Sequence, residues 1–89
     1  PRRPLPPARF AQAAARHGLR LALTTGMLYR RNRWYVNGER FEAEASWQQA
    51  LRELADRRRL PPGTALEPAL LQLLHQWYAA GYLLIGAQA

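Results

Sequence analysis

The chain has no cysteine and no lysine, and its 89 residues hold six carboxylates and one methionine. Without cysteine there is neither a disulfide nor a thiolate metal site, and the absence by itself identifies no compartment. Without lysine, all 13 basic side chains are arginine, a choice that genome composition explains as readily as a need for guanidinium groups. No apolar run approaches the roughly 18 residues of a membrane span. The basic start Pro1-Arg2-Arg3-Pro4 is followed by no apolar stretch of the kind a secretory signal carries. A glycine-rich phosphate loop and a nucleophile elbow are missing too. Glu42, Asp56 and Glu67 each stand among polar surface positions and offer no acid/base pair. His17 and His75 fall in separate helices with no further ligand at metal spacing. The chain therefore reads as non-catalytic. Its length provides one core, burying roughly 60–65% of the unfolded surface, with no room for a deep, dry pocket.

What is present is positive charge, unevenly placed. The net charge is +7, and residues 1–40 carry nine arginines against the single acid Glu39. Residues 41–89 carry four arginines against five acids, so the basic surface belongs to the first half. The sequence opens on proline and has its one methionine at Met27, which reads as a piece of a longer protein.

The chain is organised around Trp34-Tyr35-Val36-Asn37-Gly38-Glu39-Arg40-Phe41. Aromatic and β-branched residues flank Asn-Gly, the pair best suited to a two-residue type I′ turn, so a tight hairpin is expected. Upstream, Pro1 to Pro7 is an extended linker. Ala8 to His17 is made of helix formers and stops at Gly18; Phe10 is its one large apolar group, which predicts a weakly docked surface helix. Residues 1–18 are accordingly expected at the boundary with a missing upstream domain, and 19–89 as the domain proper.

Leu19, Leu21 and Leu23 alternate as on one face of a strand. Thr25-Gly26 is a turn signal, and strands follow at Met27 to Tyr29 and Trp34 to Val36, linked by Arg30-Arg31-Asn32-Arg33. The strand after Asn37-Gly38 should end near Ala43. Ser46 with Gln49 forms a capping-box pattern ahead of an amphipathic helix from Trp47 to about Arg58. Pro61-Pro62-Gly63 breaks it. Pro68 suits the first position of a second helix, which carries Leu70, Leu71, Leu73, Leu74, Trp77 and Tyr78 and ends at Gly81. Tyr82 to Ile85 is a last strand returning to the sheet. The expected fold class is α+β: a small winged-helix-like domain with antiparallel β-hairpins packed on two main helices, and an N-terminal helix.

Basic groups alternate with rings in Tyr29, Arg30, Arg31, Arg33, Trp34 and Tyr35, which makes this cluster the candidate interaction surface. Arginines grip phosphates while exposed rings stack on unpaired bases. The plainer reading has the rings filling the core and the arginines solvating a hairpin tip. Alternation puts one of Trp34 and Tyr35 toward the helices and the other outward. The second large helix, the natural recognition helix for a major groove, offers Gln72, His75 and Gln76 and no arginine, which speaks against base-specific DNA reading. Arg57-Arg58-Arg59 fits a helix C-terminus, where cations complement the dipole.

Taken in order, Leu28-Tyr29, the Trp34–Phe41 hairpin, Leu51-Arg52-Glu53-Leu54-Ala55-Asp56-Arg57-Arg58, and Leu71-Gln72-Leu73-Leu74-His75-Gln76-Trp77-Tyr78-Ala79-Ala80-Gly81-Tyr82-Leu83 resemble the C-terminal tail of bacterial cupin-like JmjC oxygenases. These are the ribosomal oxygenase family, which includes ribosomal protein arginine hydroxylases. The resemblance covers about residues 19–85. It implies a cytoplasmic, homodimeric parent protein with an upstream JmjC/cupin domain that uses Fe(II) and 2-oxoglutarate. It also implies a winged-helix tail that helps present a ribosomal protein or stabilises the dimer; the basic first half, by its charge alone, suits contact with a ribosomal particle. The family's iron-binding His-x-Asp does not occur here, so no catalytic or metal residue is carried over and no cofactor is expected in this segment. The alternative is a free-standing winged-helix module that binds nucleic acid or a peptide.

Overall fold

Asn37 and Gly38 sit at φ +50° and +81°, both positive as a type I′ turn requires, and they join β3 (Arg33–Val36) to β4 (Glu39–Phe41). The computed structural model describes residues 3–86; the first residues of the linker and the last of the tail, 1–2 and 87–89, lie outside the described residues. Asn37 also ties the hairpin to the turn before β2 (Met27–Arg30): its N–H donates to the Gly26 carbonyl at 2.7 Å, and its Oδ1 accepts from Gly26 N–H at 2.8 Å. β2, β3 and β4 form one antiparallel sheet, in that order.

A second antiparallel sheet has the order β5 (Arg59–Leu60), β1 (Leu19–Leu21), β6 (Leu83–Ile85). The six strands among the described residues thus divide between two small sheets instead of joining in one. β6 returns to the start of the chain as expected, with Leu19 opposite Ile85 and Leu21 opposite Leu83. β5 was not legible in the sequence. Arg58 adopts the left-handed conformation at φ +61°, ends α2 (Gln48–Arg57) and turns the next two residues alongside β1.

Leu19 and Leu21 are buried, but Leu23 is 93% exposed and does not continue their face. The strand stops because Ala22 N–H donates to Tyr82 O and Thr25 N–H to Ala22 O, which folds residues 22–25 into a turn between the sheets. β4 likewise ends at Phe41, short of Ala43.

The capping box at Ser46 does not form. Ala45–Trp47 is a 3-10 turn entered from Glu44 and closed by Trp47 N–H on Glu44 O, with no side-chain cap. Trp47 is pulled inward instead, and its indole N–H donates to Glu67 Oε1 at 2.9 Å. That bond crosses to the residue preceding α3 (Pro68–Ala79), where Glu67 is extended and Pro68 opens the helix as the sequence predicts.

α1 (Pro7–His17) corrects the expectation of a weakly docked surface helix. Phe10 is fully buried, stacked on Tyr78 at 4.9 Å and edge-on to His75 at 5.3 Å, and Ala14 is buried beside it. One large ring suffices because it fills a slot on α3; burying it contributes about 1.5–3 kcal/mol. Past α1, Gly18 lies at φ +77° against β5, where a Cβ would come within 2.5 Å of Leu60 O, so the position tolerates no side chain.

The core gathers Phe10 and Ala14, the inward leucines of β1, β5 and β6, Met27, Trp34 and Val36, and Trp47, Leu51, Leu54, Leu70, Leu74 and Trp77. Among the described residues no helix is long and apolar enough to cross a membrane.

Candidate functional site

Strand alternation divides the Tyr29–Tyr35 cluster between two faces of one sheet. Tyr29 opposes Trp34 and Trp34 opposes Phe41, so these three rings share the inward face. Trp34 is 1% exposed, stacked on Tyr29 at 4.8 Å and 6.3 Å from Phe41, which meets Trp77 of α3 edge-on at 4.9 Å. Trp34 is thus a core residue and leaves the candidate interaction surface. Its indole N–H is buried without a partner among the described residues, so its contribution comes from stacking. Tyr29 is half-buried, and its hydroxyl donates to both oxygens of Asp56 on α2, at 3.0 and 3.2 Å. The hydrogen bond to Asp56, then desolvation, raise the Tyr29 pKa above its ordinary 10.0. Tyr29 locks the sheet to α2.

The outward face is different. Leu28 opposes Tyr35, Tyr35 opposes Arg40, and Arg30 opposes Arg33, so Leu28, Arg30, Arg33, Tyr35 and Arg40 lie on one side. Leu28 is 70% exposed and Tyr35 half-buried, while the three arginines are exposed. The link from β2 to β3 is Arg31-Asn32, two residues shorter than the expected Arg30–Arg33 loop, because Arg30 and Arg33 pair in the ladder. Arg31 pays for this tight link with φ +57°, a conformation that costs a residue other than glycine about 1–2 kcal/mol. Arg30, Arg31, Asn32 and Arg33 line a concavity of 420 Å³ at the tip. The carboxylate that approaches this face is Glu42, whose exposed side chain stands 4.0 Å from Arg40.

Arg40 and Leu28 belong to this surface and were missed in the sequence. The register Tyr35–Arg40 follows from the two-residue Asn-Gly turn and could have found Arg40; Leu28 follows from its pairing with Tyr35.

On α3 Gln72 and Gln76 stay exposed, while His75 is taken up by the N-terminal segment. His75 donates from Nε2 to Leu5 O at 2.8 Å and Leu5 N–H donates to Tyr78 Oη at 3.0 Å, so the N-terminal segment lies along the helix. His17 stands in the last turn of α1, and among the described residues no three His, Asp or Glu groups come together as a metal site. The residues present do not fit an iron centre. Arg58 also serves the fold: its Nη2 donates to Ala22 O and Thr25 O, both at 2.8 Å, pinning the turn between the sheets to α2.

A family model described as "ROXA-like winged helix" matches residues 1–84. No curated protein and no solved structure gave a match.

Proposed function

Since the chain belongs to the ROXA-like winged helix family, we propose that it is the accessory domain of an Fe(II)- and 2-oxoglutarate-dependent protein hydroxylase, serving contact with a macromolecular partner. The observation that carries the contact role is the outward face of β2–β3–β4: an exposed leucine, a half-buried tyrosine and three exposed arginines on one side of one sheet. Tyrosine and arginine are the residues most enriched where interfaces hold their energy. Iron and 2-oxoglutarate belong, in this reading, to an upstream JmjC/cupin domain. The parent would be a cytoplasmic homodimer, and its partner a ribosomal protein or particle.

The test is the intact protein. Its frame should carry a His-x-Asp motif and a distant histidine ahead of these residues, and it should consume 2-oxoglutarate with Fe(II). Leu28→Asp with Tyr35→Ala should then raise KM for the protein substrate by about tenfold or more while kcat holds, the signature of lost uniform binding. A frame without the motif, or a KM unmoved by both changes, overturns the reading.

A further inference from the structure

Directly opposite like charges destabilise a sheet, and the β2–β3 ladder nevertheless closes on Arg30 facing Arg33. Arg31 adds a third guanidinium in a strained conformation at the same tip, and among the described residues no carboxylate lines the concavity the three share with Asn32. Such a cluster gains most from an anionic ligand that neutralises several of its charges together. Two residues along β3 from Arg33, about 7 Å away on the same face, stands Tyr35, flanked across the strands by Leu28 and Arg40. The other rings of the sheet face the core; this one is half-buried on the outward face with its neighbours exposed.

We propose that the outward face of β2–β3–β4 binds single-stranded RNA, with Arg30, Arg31 and Arg33 on phosphates and Tyr35 stacking on a base. The proposal rests on that sheet face being the contact surface of the domain. Each part follows from its chemistry. Guanidinium groups hold phosphate oxygens through paired N–H donors. A ring lying on a sheet takes an unpaired base, which a duplex keeps inside its stack. The usual route for a duplex is poorly equipped, because the exposed polar groups of α3 are Gln72 and Gln76, with no arginine on the helix to hold phosphates. Asn32 is the concavity's one side chain that both donates and accepts, which is what a ribose 2′-hydroxyl needs and arginine cannot give alone. Arg40 extends the positive track past Tyr35, held only loosely by Glu42.

The experiment is fluorescence anisotropy of the whole chain with labelled oligouridylate of about 10 nucleotides, a length within the site sizes of single-strand binders. Its comparison ligands are oligothymidylate, an RNA duplex and oligoglutamate, each across about 50 to 200 mM salt. Oligouridylate should bind tightest. Arg30→Ala with Arg33→Ala should flatten the slope of log K against log salt by about 1.4, the value for two single-strand phosphate contacts. Tyr35→Leu should weaken binding about 5- to 150-fold and leave the slope unchanged, and Tyr35→Phe should retain it. The arginine double variant removes a repulsive pair, so it tests the phosphate contact even if Tyr35→Leu perturbs folding. Equal loss from Arg9→Ala with Arg16→Ala on α1 would reduce the effect to diffuse charge and overturn the site. Tighter binding of oligoglutamate would assign the face to an acidic protein, and equal binding of oligothymidylate would remove the ribose contact. If no RNA binds while substrate KM in the intact protein still responds to Tyr35, the accessory reading stands and the RNA assignment falls.

Discussion

The hydroxyl of Tyr29 on β2 reaches both carboxylate oxygens of Asp56 on α2, at 3.0 and 3.2 Å, while its ring stacks on Trp34. One residue of the apparent surface cluster thus clamps the sheet to the helix beneath it. The neutral phenol donates to the carboxylate, whereas a phenolate would repel it. The Tyr29 pKa is raised in the folded chain, so its contribution is complete below the ordinary value of 10.0 and is lost as pH rises through the raised value. Thermal melts of wild type and Tyr29→Phe should differ at pH 7, with the wild type more stable, and the gap should shrink from pH 10.0 upward and close once pH passes the raised value. A gap that persists unchanged at high pH would show that the hydroxyl acts otherwise.

Phe10 ties α1 to α3. Phe10→Ala should cost about 3–5 kcal/mol, as a large ring removed from a closed slot does. Denaturant unfolding checks it. A cost below about 1 kcal/mol would mean that α1 docks weakly after all.

Arg58 combines a strained backbone with two bonds from its Nη2 to the carbonyls of Ala22 and Thr25. Arg58→Ala keeps the strain and loses the bonds, at a cost of about 1–2 kcal/mol. Arg58→Gly loses the same bonds but removes the left-handed penalty, so it should be milder by about 1 kcal/mol. Equilibrium unfolding of both variants reads the difference, and equal costs would contradict the αL assignment.

Arg59 stands directly opposite Arg20, whose Nε is buried without a partner among the described residues. Arg59→Glu replaces a like-charge pair by an opposite one and should stabilise the chain by about 0.5–1 kcal/mol at low salt, less at high salt. A melt showing no gain at low salt would place the two side chains out of reach of each other.

The sequence by itself determined the local events. Asn37-Gly38 fixed the hairpin because few other pairs accept positive φ twice, Pro68 fixed the start of α3, and the leucine spacing fixed the inward stripes of α2 and α3. It also established the alternation that sends one of Trp34 and Tyr35 inward, though not which. That choice belongs to the tertiary structure: Trp34 is buried between Tyr29, on which it stacks, and Phe41, which in turn meets Trp77 of α3, leaving Tyr35 outward. The burial of Phe10 was likewise invisible, since helix periodicity cannot show a slot formed by His75 and Tyr78 on a helix far along the chain. β5 and the stop after Leu21 had no sequence signal because both depend on long-range bonds, from Arg58 to the 22–25 turn and from Ala22 to Tyr82. Local propensity is set by neighbours in the chain, and contact partners by the packed whole. The surface that carries the proposed function, Leu28 and Arg40 beside Tyr35, exists only once the strands are in register.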